Sequence, residues 1–364
     1  METKKLKKIS PNYIFLIIAE MLGGAGMAIA LIRLPVPLFI LFFVLAFILQ
    51  LIIHESGHLV FGLLHHYRFH SFRIFSFMIS KVNGRLSLSK LKIAGTGGQC
   101  LMEPTERVSQ YDCVLYNLGG AIMNIIASIL AVVLARMIPS STARAFLWAF
   151  SCYGLVMALS NGIPLNRSVI TNDGDNALEC MKNKVCCDAL NKQLYVNLLM
   201  TEGIPLHQMP KDLFEYIEED ARKYTLVSTI KAYSSDLAVS EGDLESSLNI
   251  INGMTGDTYY PLIDTVRYAL LNDKEFICAV KGIDFIDPGK DYQTFKKRMK
   301  TSPSFIRTEY ALKLRDGDMK GAENSLKQFE KVSATYPYPD VLRTERELIG
   351  IADNTFGNHP SVSE

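Results

Sequence analysis

The sequence predicts a mainly α-helical, polytopic membrane protein with about four transmembrane helices, a small cytoplasmic β-hairpin region and a C-terminal cytoplasmic helical domain. Three observations carry this reading. Four apolar stretches, at about 12–33, 36–63, 112–135 and 144–164, reach the roughly 20 residues that a bilayer crossing requires. Between the second and third lies a segment of strand-like residues around Asn83-Gly84. Beyond Asp173 the apolar runs stop and the chain becomes polar and charged, as in PKDLFEYIEEDARK. Over all 364 residues, 38 Lys and Arg balance 37 Asp and Glu. That balance excludes a strongly basic nucleic-acid binder, and no nucleic-acid partner is expected.

The first apolar stretch follows the basic METKKLKK. It is too long for a signal peptide and lacks a small-x-small cleavage site, so it reads as an uncleaved anchor. Lys4, Lys5, Lys7 and Lys8 flank it on one side. The long loop after the second span carries Arg68, Arg73, Lys81, Arg85, Lys90, Lys92 and Arg107, whereas the other short connections carry only Arg33, Arg136 and Arg144. Cytoplasmic loops are enriched in Lys and Arg, so the N-terminus, the long loop and the C-terminal half are expected in the cytoplasm.

Within that loop, about 71–100, FRIFSFMIS and RLSLSKLKI flank Asn83-Gly84, a pair suited to a tight type I′ turn. An isolated hairpin is marginal in water, so this one is expected to lean on the membrane domain of residues 1–175. Residues 176–364 read as amphipathic helices joined by similar turns, in SEGDLESSLNII near Gly242, LLNDKEFICAV near Asp273 and LRDGDMKGAENSLKQF near Gly317. Such units resemble stacked tetratricopeptide-like hairpins; their uneven intervals leave a plain helical bundle as the alternative. DNTFGNHPSVSE reads as a frayed tail. The seven cysteines, Cys100, Cys113, Cys152, Cys180, Cys186, Cys187 and Cys278, form no disulfide framework by spacing. The cluster Cys180, Cys186 and Cys187 lacks a second CxxC or His pair, so reduced, buried thiols are expected.

His54-Glu55-Ser56-Gly57-His58 is an HExxH motif inside the second span. On a helix both imidazoles share a face and can bind one Zn²⁺, while Glu55 stands aside as a base for water. Ionisable residues in a membrane span are costly and mark function. A hydrolytic zinc site takes a third protein ligand and keeps a fourth position open. Asp173 is the candidate. It follows Asn161-Gly162-Ile163-Pro164, where Pro164 breaks the fourth span on the side that His58 occupies. His65, His66 and His70 read as interfacial residues. Glu20, beside Gly23, Gly24 and Gly26, either faces the site or packs between helices.

Together HESGH, the N-x-x-P … D-G pattern and Gly119-Gly120-Ala121-Ile122-Met123-Asn124 resemble the site-2 protease family of intramembrane zinc metalloproteases, over about residues 36–180. The resemblance implies one zinc ion per chain held by His54, His58 and Asp173, with Glu55 as general base and acid. It implies hydrolysis of transmembrane or membrane-associated peptides in a bacterial cytoplasmic membrane. More residues separate Asn161 from Asp173 than is usual in the family and a second proline is absent, which keeps Asp175 as an alternative ligand. No PDZ-like domain is present, so the C-terminal helices would dock any protein partner. Gly97 and Gly98 would offer a strand edge to an unwound substrate. Asn161 would stabilise an oxyanion or cap the broken helix, and Gly119, Gly120 and Asn124 are assigned to helix packing. A non-catalytic membrane scaffold of the same fold is the alternative function; the intact Glu55 counts against it.

Overall fold

The computed structural model describes residues 11–82, 84–90, 97–165, 171–256, 259–336 and 338–357. The N-terminal lysines, Asn83, Lys92 and the end of the C-terminal tail lie outside the described residues. The chain divides into two compact units, Met1–Cys187 and Asp188–Glu364.

The first unit is built on four long apolar helices, α1 (Pro11–Leu31), α2 (Val36–Leu64), α3 (Gln110–Met137) and α4 (Ser141–Gly162). Their starts are written locally. Pro37 sits in the first turn of α2, where a missing N–H costs nothing. Ser109 and Asp112 form a capping box at α3, and Ser140 caps α4. The packing is inside-out relative to a soluble bundle. In α3 the buried positions are largely small or polar, among them Gly120, Ala121, Asn124, Ser128, Ala131 and Ala135, while Ile129, Leu130 and Val133 face outward. Lipid gives large apolar side chains no reason to turn inward, so small residues that let backbones approach line the contacts.

Between α2 and α3 lies an antiparallel sheet of β1 (Tyr67–Ile74), β2 (Phe77–Val82), β3 (Arg85–Lys90) and β4 (Gly98–Pro104), in the order β3-β2-β1-β4. The register Val82↔Arg85 brackets the tight turn, where Gly84 has φ +78°. The stretch FRIFSFMIS is not one strand, as expected, but two. It folds back at Phe75 (φ +52°), whose N–H donates to the Gly97 carbonyl (2.7 Å) and whose carbonyl accepts from Arg73 Nη1 (2.6 Å). Those two bonds replace the ladder that a straight strand would have made. β1 and β4 pack on α2, the support that an isolated hairpin lacks.

After α4 the short helix α5 (Asp173–Lys182) packs on α3, and α6 (Lys184–Thr201) begins. The expectation of uniformly reduced thiols is corrected here: Cys113 and Cys187 form a disulfide. The first turn of α6 runs beside the first turn of α3 and brings the two Cα atoms to 5.9 Å, within disulfide reach. A separation of 74 residues concealed the pairing. Cys100, Cys180, Cys186 and Cys278 are buried and Cys152 is half-buried, and none of these five is in a disulfide.

The second unit is helical among the described residues. After α6 come a single turn α7 (Glu218–Ala221), then α8 (Thr225–Ser240), α9 (Leu244–Thr255), α10 (Asp264–Lys281), α11 (Lys290–Arg298), α12 (Pro303–Arg315), α13 (Met319–Ser333) and α14 (Pro339–Phe356). The pairs α8–α9 and α12–α13 are hairpins turned by the same device. Gly242 and Gly317 take positive φ, and the next residues, Asp243 and Asp318, return N–H bonds to the Ala238 and Lys313 carbonyls. The same aspartates then cap the following helix through Ser246 N and Gly321 N. The turn expected near Asp273 is absent, since Asp273 lies inside α10. That helix ends instead at Gly282, also left-handed (φ +65°).

Candidate metal centre

His54 and His58 stand one turn apart on the buried face of α2, with Gln50 one turn earlier on the same face. Each imidazole is held from behind. Asn124 on α3 spends its amide N–H groups on the Gln50 carbonyl (3.0 Å) and Gln50 Oε1 (2.7 Å). Its Oδ1 is therefore an acceptor, 2.7 Å from His54 Nδ1, which must donate. His58 Nδ1 donates to the Tyr116 carbonyl at 2.9 Å. Both rings thus turn Nε2 inward, 3.3 Å apart.

Asp173 completes the group. Its Oδ2 lies 3.1 Å from His54 Nε2 and 3.3 Å from His58 Nε2. Burial alone would raise the Asp173 carboxyl, but the facing imidazoles, His58 foremost, outweigh burial and hold it well below the usual carboxylate range. Three edges of 3.1, 3.3 and 3.3 Å match a zinc site. Nitrogen and oxygen ligands bound tetrahedrally at about 2.0–2.1 Å stand about 3.3 Å apart. The donor set, two histidines and a carboxylate with their outer hydrogen bonds in place, suits the same ion. Asp175 is not in this group; it is buried, its Oδ2 unpaired among the described residues, and burial pushes its carboxyl up.

Asn172 brings Asp173 to the histidines. Its amide donates to the Ser160 and Ile163 carbonyls at the broken end of α4 (2.8 and 2.6 Å), while its Oδ1 accepts from Leu165 N and Asp175 N. One side chain thereby ties the end of the fourth span to the start of α5 and caps the helix that begins with Asp173. Asn161 sits in the last turn of α4 and donates to the Met157 carbonyl of its own helix (2.9 Å).

Glu55 is 6 % exposed and faces β4. A Cβ on Gly98 would stand 2.5 Å from Glu55 Oε1, so only glycine lets the strand come this close to the carboxylate. Gly97 lies against Leu51. Arg73, 1 % exposed, reaches the same place from β1, with Nη2 on the Gly98 carbonyl at 3.2 Å. Its charge contributes to the field at Glu55.

The remaining polar candidates lie elsewhere. His65 pairs with Asp112 (2.8 Å), His66 lies 3.6 Å from the same carboxylate, and His70 is buried in β1. Glu20 accepts from Ser160 Oγ at 3.2 Å and is exposed. Sequence reasoning missed Asn124 as the orienter of His54, along with Arg73, Tyr116 and Asn172. For Asn124 a signal existed, a carboxamide deep in an apolar span, beside the glycines that suggest packing. Replacing Asn124 with Ala frees the His54 ring to rotate and to exchange tautomers. Zinc affinity of Asn124→Ala, measured by competition with a chromogenic chelator, is expected to fall by about 10–100-fold.

Residues 42–307 match peptidase family M50. The chain belongs to that family. No curated protein and no solved structure matches it. M50 peptidases are the site-2 protease family, membrane-embedded zinc metallopeptidases, so the resemblance read from HESGH is borne out at family level. The four apolar helices agree with a membrane protein of this family. The M50 match continues beyond the membrane helices to residue 307, well past the region that carries the motifs.

Proposed function

We propose that this M50 peptidase hydrolyses peptide bonds of transmembrane or membrane-associated peptides, with one zinc ion per chain held by His54, His58 and Asp173. The observation that carries this reading is the triangle of ligand atoms with edges of 3.1–3.3 Å, beside the buried Glu55. Bound zinc supplies Lewis acidity to the scissile carbonyl and to water. Glu55 takes the proton of the attacking water and delivers it to the leaving amine nitrogen. Asn124 and Tyr116 keep both Nε2 lone pairs directed inward. β4 pairs with β1 on one side only among the described residues, which leaves an edge beside Glu55. An unwound substrate segment adds there as a strand, through backbone hydrogen bonds. Arg73 holds the start of that edge through the Gly98 carbonyl. The distribution of Lys and Arg supports an orientation with both termini cytoplasmic, in a bacterial cytoplasmic membrane as in the sequence reading.

The scaffold alternative has no use for a carboxylate kept buried beside two histidines. Metal analysis of the purified full-length protein tests the ligand set. Wild type and Asp175→Asn are expected to hold about one zinc per chain, and His54→Ala, His58→Ala and Asp173→Ala to hold almost none. Full occupancy in the histidine variants would sink the assignment, and loss in Asp175→Asn alone would transfer the third position to Asp175.

A further inference from the structure

The second unit encloses a cavity of about 260 Å³ among α8, α10, α12 and α14. Its floor is charged. Arg307, 1 % exposed, donates from Nη2 to Asp273 Oδ1 (2.6 Å) and from Nε to Glu345 Oε2 (2.9 Å), with its guanidinium 4.4 Å from the Phe276 ring centroid. One cation therefore faces two carboxylates. A third, Asp236 of α8, lines the same cavity and has no hydrogen-bond or ion-pair partner among the described residues. Asp340 also lines it but is paired with Arg343 at 3.2 Å. The walls are apolar at Ile204 and Val239, and the half-buried Tyr336 and Tyr338 line it as well.

Size and charge together select the guest. Small-molecule pockets run to roughly 300–1,000 Å³, so this one is too small for a nucleotide and suits a single side chain or small amine. Asp273 and Glu345 share the one guanidinium of Arg307, so an ionised Asp236 finds no counter-charge of its own in the lining. An anionic or neutral guest would supply none. A lysine or arginine side chain answers both features, since its methylene stem covers apolar wall while its head meets a carboxylate.

We propose that this cavity receives one basic side chain, a lysine or arginine presented by an extended segment of a partner protein, with its cationic head on Asp236. The site is separate from the metal centre and does not depend on the protease reading. Burial foremost, then the neighbouring Asp273 and Glu345 carboxylates, pushes Asp236 up to about 8, against the smaller opposing pull of Arg307. Tyr233 of its own helix, the paired Asp340, and Tyr336 and Tyr338 of the lining are the other titratable groups around it. A cation binds the ionised carboxylate, so affinity rises as pH climbs toward about 8 and levels above it.

The test uses full-length protein in detergent and N-acylated, fluorophore-labelled Gly-Ser-Lys-Ser-Gly, its arginine counterpart and a norleucine counterpart that keeps the stem without the charge. The lysine and arginine peptides are expected to bind at least about ten-fold more tightly than the norleucine peptide. Asp236→Asn, which preserves shape, is expected to remove that preference. Equal binding of the lysine and norleucine peptides to wild type would overturn the proposal and needs no variant. A preference undiminished in Asp236→Asn would overturn it too. Butylammonium serves as the free-amine arm: displacement of the peptide at equal concentration would assign the cavity to a small amine instead.

Discussion

Glu55→Gln is expected to retain about one zinc per chain while losing roughly 10²–10⁴-fold in peptide hydrolysis, the range that a positioned general base supplies. The amide matches the carboxylate in shape, so the close approach of Gly98 and the buried packing of α2 survive the change. Neither His54, His58 nor Asp173 takes its hydrogen bonds from Glu55 in the structure, so the metal group should persist. What the amide lacks is a lone pair basic enough to accept a proton from water. Zinc content and comparative membrane proteomics read the two effects separately, with uncleaved single-span proteins accumulating in the variant. Undiminished turnover would remove Glu55 from the mechanism. Loss of zinc would instead make Glu55 part of the metal group.

Gly120→Ala is expected to cost zinc binding and activity together, although it adds one methyl group to a residue that performs no chemistry. A Cβ at Gly120 would stand 2.5–2.7 Å from the ring atoms of His54. The ring cannot simply turn aside, because Asn124 holds Nδ1 and Asn124 is itself held by Gln50. Nor can the helices separate freely, for Gly57 already lies against the Gly119 carbonyl of the same crossing. Overpacking of this kind costs about 1–3 kcal/mol, and the cheapest relaxation displaces an imidazole from the metal triangle. Zinc affinity should drop on the order of ten-fold or more. Gly24→Ala is the matched control, since a Cβ there meets no atom within 4 Å. Equal zinc affinity in wild type and Gly120→Ala, measured by the same chelator competition, would show that the α2–α3 crossing has slack and that the ring is less tightly held than its contacts indicate.

Much of this protein is local and was therefore legible. A span announces itself through the length of its apolar run, and all four appear as helices close to their expected bounds. Gly84, Gly242 and Gly317 take the left-handed conformation that their turns demand, and Ser109 and Asp243 cap the helices that follow them. His54 and His58 share a face because four residues make just over one helical turn. The errors also have physical causes. FRIFSFMIS has strand composition throughout, and only the Phe75–Gly97 and Arg73–Phe75 bonds show where it folds back. Asp273 sits in a sequence that resembles the other turns, but without a glycine beside it the helix runs through. Cys113 and Cys187 become neighbours only when α6 returns past α3.

By itself, the sequence determined that four helices cross a membrane and that one of them carries two histidines and a glutamate on adjacent turns. It put Asp173 forward as the third ligand with Asp175 as the alternative, and left Asn124 among the packing residues. Tertiary structure supplied the geometry. The crossing of α2 and α3 puts Asn124 behind His54, and the knot of hydrogen bonds at Asn172 sets Asp173, rather than Asp175, against both imidazoles. Hydropathy and helical period depend on neighbours a few residues apart. The metal group depends on side chains up to 119 residues apart, and that distance is closed only by packing.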